Sequence, residues 1–214
     1  MIVSGTIYGV VLNDADERAA LADAFNADPY KAPPQAPVVY IKPRLCATVG
    51  GAPVPLPAGE SEVTVAATVA LLFGRDATAG SEDAALSHVE AACLALDVSL
   101  PSASYYRPAI AERCRDGFLP LGHAGDVCLP DEIVTFVDGV EAHRWPLSRL
   151  VRSAEKLIAE LSSFMTLQAG DLLLIGLPGE APRARAGQSV RVEAEGFAPI
   201  AVSITTEAAL AEVA

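Results

Sequence analysis

Cationic residues are scarce in this chain of 214 residues, and their scarcity restricts the partners it can have. Its 15 Lys and Arg residues face 27 Asp and Glu residues, which gives a formal net charge of −12 and an isoelectric point of about 4.6. We therefore expect no binding to nucleic acid or to an anionic membrane surface, because both depend on clusters of Lys and Arg. An acidic protein can still hold an anionic substrate where a few cations meet, so the positions of the rare cations matter.

Long apolar runs and paired cysteines are missing as well. The longest apolar stretch, near residues 65–74, is too short to span a bilayer. The first six residues contain no basic region of the kind that begins a secretory signal. The cysteines show no C-x-x-C spacing and are predicted to be reduced, buried thiols. They are Cys46, Cys93, Cys114 and Cys128. These absences predict a soluble, cytoplasmic protein.

Several catalytic motifs are absent too. The chain has no G-x-S-x-G elbow, no G-x-x-x-x-G-K-[ST] loop and no G-x-G-x-x-G fingerprint. The three histidines, His88, His123 and His143, share no close spacing, which argues against a zinc site built from His and Cys. Hydrolase triads, nucleotide-binding loops and zinc catalysis are therefore disfavoured.

What the chain does contain is enough apolar sequence, 51% of its residues, to bury the core of one domain. Strands are predicted over residues 2–12, 38–41, 63–73, 171–175, 188–194 and 199–204, with a hairpin over 133–141 that turns at Asp138-Gly139. Helices are predicted over 17–25 with Asp14 or Asp16 as cap, over 81–94 with Ser81 as cap, and over 148–163. Strands outnumber helices without strict alternation, which predicts a β-dominated α+β fold. A small N-terminal αβ segment over 1–45 is expected to precede the main domain over 46–214.

The unusual polar residues of the chain concentrate between Asp97 and Gly117. Arg107, Arg113 and Arg115 all lie in this segment. Because the guanidinium fork of arginine matches a carboxylate bidentately, the segment is a candidate anion pocket. A solvated loop held by Arg–Asp pairs explains the same composition, and the residues alone leave both possibilities open.

A series of short motifs also runs through the chain in order. They are Ile41-Lys42-Pro43-Arg44, Leu71-Leu72-Phe73-Gly74, Leu96-Asp97-Val98-Ser99, Asp116-Gly117-Phe118-Leu119-Pro120-Leu121-Gly122, Thr166 to Asp171, Ile175-Gly176-Leu177-Pro178 and a closing Gly-x-x-Val-x-Val-x-x-x-Gly. Together they resemble the fumarylacetoacetate hydrolase family over nearly the whole chain. Residues 29–34 and 106–118 resemble most specifically one branch, the first half or first subunit of the bifunctional isomerase/decarboxylases of 4-hydroxyphenylacetate (homoprotocatechuate) degradation.

This resemblance implies a fold and a metal site. The fold would be a mixed β-sandwich or β-roll with flanking helices, in which residues 46–214 form the catalytic-type domain. The family site holds Mg²⁺ or Mn²⁺ on a Glu-x-Glu pair in one strand and on a later Asp, and the metal chelates a 2-oxo acid and stabilises enolate charge. The matching positions here are Ala66, Thr68 and Asp97, so the implied site is incomplete. Glu60 and Glu62 keep the Glu-x-Glu spacing but lie six residues upstream, about 20 Å away along a strand.

The resemblance assigns further positions near the site. Related active domains place a His and a Glu in a short helix as a general-base pair, and Glu17 and Ala20 stand at those positions here. Lys42 is retained, Arg113 stands where the family often has Lys, and Leu177 replaces a Thr. The cationic half of the implied pocket is therefore better preserved than its metal half.

Three interpretations of function follow. In the first, the chain is a subunit of a 2-hydroxyhepta-2,4-diene-1,7-dioate isomerase / 5-oxopent-3-ene-1,2,5-tricarboxylate decarboxylase in aromatic catabolism. It would depend on a metal-competent sister subunit in a homo- or hetero-oligomer, and its ligands would be small 2-oxo or 2-hydroxy diene diacids. The expected carboxylate-binding side chains are Lys42, Arg107, Arg113 and Arg115. The expected proton donor is Tyr105 or Tyr106.

The other two interpretations need no metal. In the second, the chain is a catalytically degenerate structural partner, in which Asp97 is hydrogen-bonded to the backbone and the arginines form internal ion pairs. In the third, it is a metal-independent tautomerase that uses Asp97, Asp116 or Glu17 as the base.

Overall fold

Two β-sheets with flanking helices form the described part of the molecule. The computed structural model describes residues 3–102, 105 and 109–211. The strands are β1 (Ile7–Val11), β2 (Val38–Lys42), β3 (Ala47–Val49), β4 (Val54–Leu56), β5 (Val63–Phe73), β6 (Val89–Ser99), β7 (Leu119–Leu121), β8 (Glu132–Val137), β9 (Val140–Pro146), β10 (Leu172–Leu174), β11 (Arg183–Ala184), β12 (Ser189–Glu193) and β13 (Ile200–Thr206). The α-helices are α1 (Ala15–Ala20), α2 (Ala22–Phe25), α3 (Glu82–Ala85), α4 (Ile110–Arg113), α5 (Ala154–Ser162) and α6 (Glu207–Ala211).

The larger sheet has the strand order β2-β1-β10-β5-β6-β7-β3, and β11 adds to β5. It is mixed, because β1 pairs with β10 and β3 with β7 in parallel while β5 and β6 pair antiparallel over their whole length. The smaller sheet has the order β4-β13-β12-β8-β9. This architecture confirms the prediction of a β-dominated α+β fold with a mixed β-sandwich or β-roll and flanking helices.

Strand β5 shows why the core and the site lie on opposite faces of the larger sheet. Successive side chains of a strand point to opposite faces. Val65, Val69 and Phe73 pack into the main core, which also takes in residues of the smaller sheet and of α5. Ala66 belongs instead to a small cluster on the other face, together with Leu177 and residues of β1. The even-numbered residues of β5 therefore face the region where the site forms.

The helix predicted over residues 81–94 is confirmed at its start, where α3 follows Ser81, and is wrong from Val89 onwards. Helix α3 ends at Ala85, and the chain from Val89 onwards is β6. The alanines of this segment favour a helix locally, but pairing of ten of its eleven residues with β5 buries almost the whole strand and overrides that preference. The correction matters for function, because it places Asp97 in the strand next to β5.

The strand over 63–73 is found with its predicted bounds, and the remaining predicted elements are found with shifted ends. The hairpin turn at Asp138-Gly139 joins β8 to β9 as predicted. The first predicted helix is divided at Leu21 into α1 and α2, with Asp14 as the cap of α1. The third predicted helix begins later, as α5, with Ser153 as its cap. Strands β1 and β2 lie in the same sheet as β5 and β6, and the division of the chain at residue 45 stays a prediction.

The states of the four thiols agree only in part with their prediction. All four cysteines are free, as predicted, but only Cys46 and Cys93 are buried. The prediction of burial is wrong for Cys114, which is partly buried, and for Cys128, which is exposed. No helix in the described ranges has the length and apolar character needed to cross a membrane.

Candidate active site

Asp97 lies at the centre of a buried charged network near the end of β6. Its side chain is completely buried. The hydroxyl of Tyr40 donates a hydrogen bond to Oδ2. The Nζ of Lys42 lies 3.2 Å from Oδ1, and Nη1 of Arg113 lies 3.4 Å from the same oxygen. Both carboxylate oxygens are therefore held by side chains of this chain.

Lys42 is fully satisfied inside this network. Its Nζ donates to the carbonyl oxygens of Val98 at 2.9 Å and Phe118 at 2.7 Å, in addition to its contact with Asp97. An ammonium group carries three N–H donors, and it meets three acceptors here, so the geometry fits the charged form. Burial lowers the pKa of Lys42, and the negative charge of Asp97 offsets part of that effect.

The pairing of β1 with β2 places Tyr40 and Lys42 on one face. The two residues are separated by one position in β2, so their side chains point to the same side of the sheet. Gly9 stands opposite Tyr40 in the register. A Cβ atom on Gly9 would lie 2.1 Å from the Tyr40 ring, so a residue without a side chain is needed here. The guanidinium of Arg113 lies over the ring face, 5.1 Å from its centroid, as in a cation–π contact.

The register of β5 and β6 brings the two positions of the missing glutamates to Asp97. Ala66 is the direct partner of Asp97, and Thr68 is the partner of Ala95. Cross-strand partners have Cβ atoms about 4.5–5.5 Å apart, and residues i and i+2 share a face. The three positions assigned by the family resemblance therefore form one continuous patch.

The side chains of this patch do not fit Mg²⁺ or Mn²⁺. These hard cations bind several oxygen ligands. Ala66 offers none, the Thr68 hydroxyl is buried and contacts its neighbour's carbonyl at 3.4 Å, and Asp97 is already held by two cationic groups. Among the described residues, no three His, Cys, Asp or Glu side chains are grouped so that they could hold a metal ion.

Glu62 does not supply the missing ligands. Its Oε1 lies 2.5 Å from Nη1 of Arg183, and its Oε2 lies 3.5 Å from Nε of Arg185. These ion pairs hold the carboxylate next to the start of β5. The positions of Glu60 and Glu62 thus agree with the expectation that the upstream Glu-x-Glu pair lies away from Asp97.

A cavity of about 740 Å³ opens beside the buried network. Tyr40, Tyr105 and Arg113 contribute polar groups to its wall, while Ala66 and Leu177 contribute apolar surface. The side chain of Arg113 is 14% exposed, so it contacts both the buried Asp97 and the open cavity. Arg113 thus connects the network to the cavity, whose wall also includes Arg183, the ion-pair partner of Glu62.

Glu17 lies behind the wall of the same cavity. The hydroxyl of Tyr105 donates a hydrogen bond of 2.6 Å to Oε1 of Glu17. Oε2 is buried and has no hydrogen-bond partner in the part of the chain that the structure describes. Burial raises the pKa of Glu17, and the Tyr105 hydrogen bond and the charge of Arg113 offset part of the increase. The arrangement can hold a proton one hydrogen bond away from the cavity.

Asp14 fixes the helix that carries Glu17. Its side chain caps α1 by accepting hydrogen bonds from the backbone N–H groups of Asp16 and Glu17. It also accepts a bond of 2.6 Å from Nε1 of Trp145 and one of 2.7 Å from Nη2 of Arg149. These contacts tie α1 to residues far along the chain, so the position of Glu17 is set by the fold.

The structure unites part of the set of site residues predicted from the sequence. The residues brought together are Lys42, Asp97, Tyr105 and Arg113. Arg115 donates to the carbonyl oxygen of Ala111 at 2.7 Å, and neither Arg115 nor the exposed Asp116 lines the cavity. Tyr106 and Arg107 lie outside the described residues.

Two features of the site were not predicted from the sequence. Tyr40 was missed as a partner of Asp97, and the only signal was Gly9, since glycine within a strand indicates close approach of another group. The structural-partner interpretation expected Asp97 to bond to the backbone. That expectation is wrong, because the partners of Asp97 are the side chains of Tyr40, Lys42 and Arg113.

Sequence comparison identifies relatives of the chain. Residues 6–205 match the family described as fumarylacetoacetate (FAA) hydrolase C-terminal. The chain is 42% identical over 207 residues to the 4-hydroxyphenylacetate degradation bifunctional isomerase/decarboxylase of Escherichia coli. That match covers 96% of this chain and 48% of the relative, so the chain spans about half the length of that protein.

Solved structures share the fold. The 5-carboxymethyl-2-hydroxymuconate delta-isomerase from Mycobacterium smegmatis superposes with a TM-score of 0.80 at 23% identity, over 96% of this chain and 78% of that one. Fumarylpyruvate hydrolase from Pseudomonas aeruginosa, solved in complex with Mn²⁺ and pyruvate, superposes with a TM-score of 0.78 at 22% identity, over 95% and 90% of the two chains. Family match, sequence relative and fold agree: the chain belongs to the fumarylacetoacetate hydrolase family.

Proposed function

We propose that this chain is one half of a two-part isomerase/decarboxylase of aromatic (4-hydroxyphenylacetate) catabolism. The activities would be those of a 2-hydroxyhepta-2,4-diene-1,7-dioate isomerase and a 5-oxopent-3-ene-1,2,5-tricarboxylate decarboxylase. A homologous half with a complete site for Mg²⁺ or Mn²⁺ would supply the metal chemistry. The likeness to a bifunctional relative of about twice the length supports the two-part arrangement.

One observation carries the division of labour between the halves. Ala66 stands directly opposite Asp97, at the place where the family resemblance implies a metal-binding glutamate. The patch keeps the aspartate that the resemblance implies as a ligand but lacks the two glutamates. A half built in this way binds and positions a diacid but needs a partner for the metal-assisted step.

The residues of this chain have definite tasks in that proposal. Arg113 binds a carboxylate of the diacid and stabilises negative charge on it. Ala66 and Leu177 cover the carbon chain and keep water away from it. The Tyr105 hydroxyl, backed by Glu17, holds a proton at the cavity wall for exchange with the dienol. These tasks can be separated by mutation.

The test uses the chain alone, a metal-competent homologous half alone, and the two together. The loss of ultraviolet absorbance of the oxo-diene diacid is followed with Mg²⁺ and with EDTA. We expect the chain alone to be inactive in both conditions, and we expect it to raise the rate or the stability of the partner half. Activity of the chain alone in EDTA, or no effect on the partner's rate, stability or assembly, would overturn the proposal.

A second candidate function, a metal-independent tautomerase, is favoured by Glu17. Its buried carboxyl has one oxygen bonded to Tyr105 and one without a partner among the described residues. Such a group suits proton exchange with an enol. The same assay distinguishes the candidates, because this one requires turnover by the chain alone in EDTA and its loss in Glu17→Gln.

A further inference from the structure

The buried network contains more positive than negative charge. Asp97 is its carboxylate, whereas Lys42 and Arg113 both contact Oδ1 of that group. Lys42 is buried, meets three acceptors and lies closer to Asp97 than Arg113 does, at 3.2 Å against 3.4 Å. Among the described residues, Asp97 is the carboxylate that forms an ion pair with Arg113, and Arg113 also lines the cavity. Arg113 is therefore the cation of this network that a ligand in the cavity can reach.

The guanidinium of Arg113 is held in a fixed orientation beside the cavity. Nη1 points to Asp97 at 3.4 Å, and the ring of Tyr40 lies against the guanidinium plane, 5.1 Å from its carbon. Nε and Nη2 donate no hydrogen bond to residues that the structure describes. A guanidinium edge that none of the described residues occupies matches a carboxylate bidentately, and the contacts with Asp97 and Tyr40 reduce the side-chain entropy that is lost on binding.

The cavity itself suits a small organic acid. Its volume of about 740 Å³ lies within the range of ligand pockets. Its wall offers apolar surface from Ala66, Leu177 and Val11 together with the guanidinium of Arg113. A carbon chain can lie against that surface while one carboxylate reaches Arg113.

We propose that this cavity binds a linear dicarboxylate in the absence of any divalent cation, with one carboxylate on Arg113. Lys42 and Tyr40 satisfy Asp97 in the place where a metal ion would otherwise do so. The metal independence follows from this chain's own contacts. Only the choice of a linear dicarboxylate as ligand rests on the proposed function.

Calorimetric titration of the EDTA-treated chain tests this site. The probes are adipate and 2-oxoadipate, because adipate lacks the 2-oxo group through which a metal would be chelated. We expect both to bind in EDTA, and we expect Mg²⁺ to leave their affinities unchanged within about threefold. Arg113→Gln should weaken binding at least about tenfold, since a charge-assisted pair is lost. The matched control Arg115→Gln, in the same segment but off the cavity wall, should bind like the native chain.

Arg113→Lys covers the case in which Arg113→Gln fails to fold. It keeps a cation beside Asp97 but loses the fork, so we expect adipate to bind at least about threefold more weakly. Binding that requires Mg²⁺, or native affinity in the Arg113 variants, would overturn the inference. Binding in EDTA without activity of the paired halves would support it and refute the proposed function. If the paired halves are active but the isolated chain does not bind adipate or 2-oxoadipate in EDTA, the proposed function is supported and the inference of metal-independent binding is overturned.

Discussion

Lys42→Met tests the buried network with a single substitution. The Asp97 carboxylate would stay buried but lose an ammonium group 3.2 Å away, and the carbonyl oxygens of Val98 and Phe118 would lose their donor. Removing one partner of a buried ion pair costs about 3–5 kcal/mol. Arg113, 3.4 Å from the same oxygen, retains part of the compensation. We therefore expect a loss of about 3 kcal/mol in the free energy of unfolding, or about 6–12 °C in Tm.

A double-mutant cycle with Asp97→Leu, followed by urea unfolding, isolates the pair. The double variant removes both charges, so it should be more stable than the sum of the single losses predicts, by at least about 2 kcal/mol. Lys31→Met is the matched control. Its side chain is 79% exposed and lies 3.8 Å from Asp28, so we expect a change below about 0.5 kcal/mol. A loss below about 1 kcal/mol for Lys42→Met, or additive single effects, would refute the reasoning.

Three further changes test other parts of the site. Burial raises the pKa of Glu17 in the folded chain, so its contribution to stability is present below the ordinary value of 4.5 and is lost as the pH rises through the folded pKa. The Tm of Glu17→Gln should therefore rise relative to that of the native chain as the pH increases above 4.5. A difference in Tm between the two chains that does not change with pH would contradict this expectation. Gly9→Ala places a Cβ atom 2.1 Å from the ring of Tyr40, so it should lower the free energy of unfolding by about 1–3 kcal/mol, measured by thermal unfolding. A Cβ atom on Gly125 would meet nothing within 4 Å, so the control Gly125→Ala should lower the free energy of unfolding by less than about 0.5 kcal/mol. Equal losses would contradict the close approach. The double variant Ala66→Glu/Thr68→Glu adds two carboxylates beside the buried Asp97, so its Tm should fall in the absence of metal and recover when Mn²⁺ is added. A Tm that does not recover with Mn²⁺ would show that the patch lacks the geometry of a metal site.

The sequence predicts the strand framework well where local pattern and burial agree. The strand over 63–73 has the predicted bounds because β-branched and apolar residues dominate it. The first part of β6, residues 89–94, is predicted as the end of a helix, because its alanines carry no period that distinguishes a buried strand from a helix. Its conformation is decided by pairing with β5, a contact that the local sequence does not contain.

The candidate site is predictable only in part for a similar reason. Family resemblance identifies Lys42, Asp97 and Arg113, since each lies in a recognisable motif. Tyr40 lies in an ordinary strand sequence, and its role depends on the register that places Gly9 opposite its ring. The satisfaction of Asp97 by three side chains is a property of packing between β2, β6 and α4.

Titration of the metal-free chain with Mn²⁺, followed by the electron paramagnetic resonance signal of the free ion, tests the central claim most directly. The side chains around Asp97 predict that the native chain leaves the signal of the free ion unchanged. Ala66→Glu/Thr68→Glu should reduce that signal under the same conditions. Stoichiometric binding of one Mn²⁺ per native chain would contradict the claim that the side chains around Asp97 do not form a metal site.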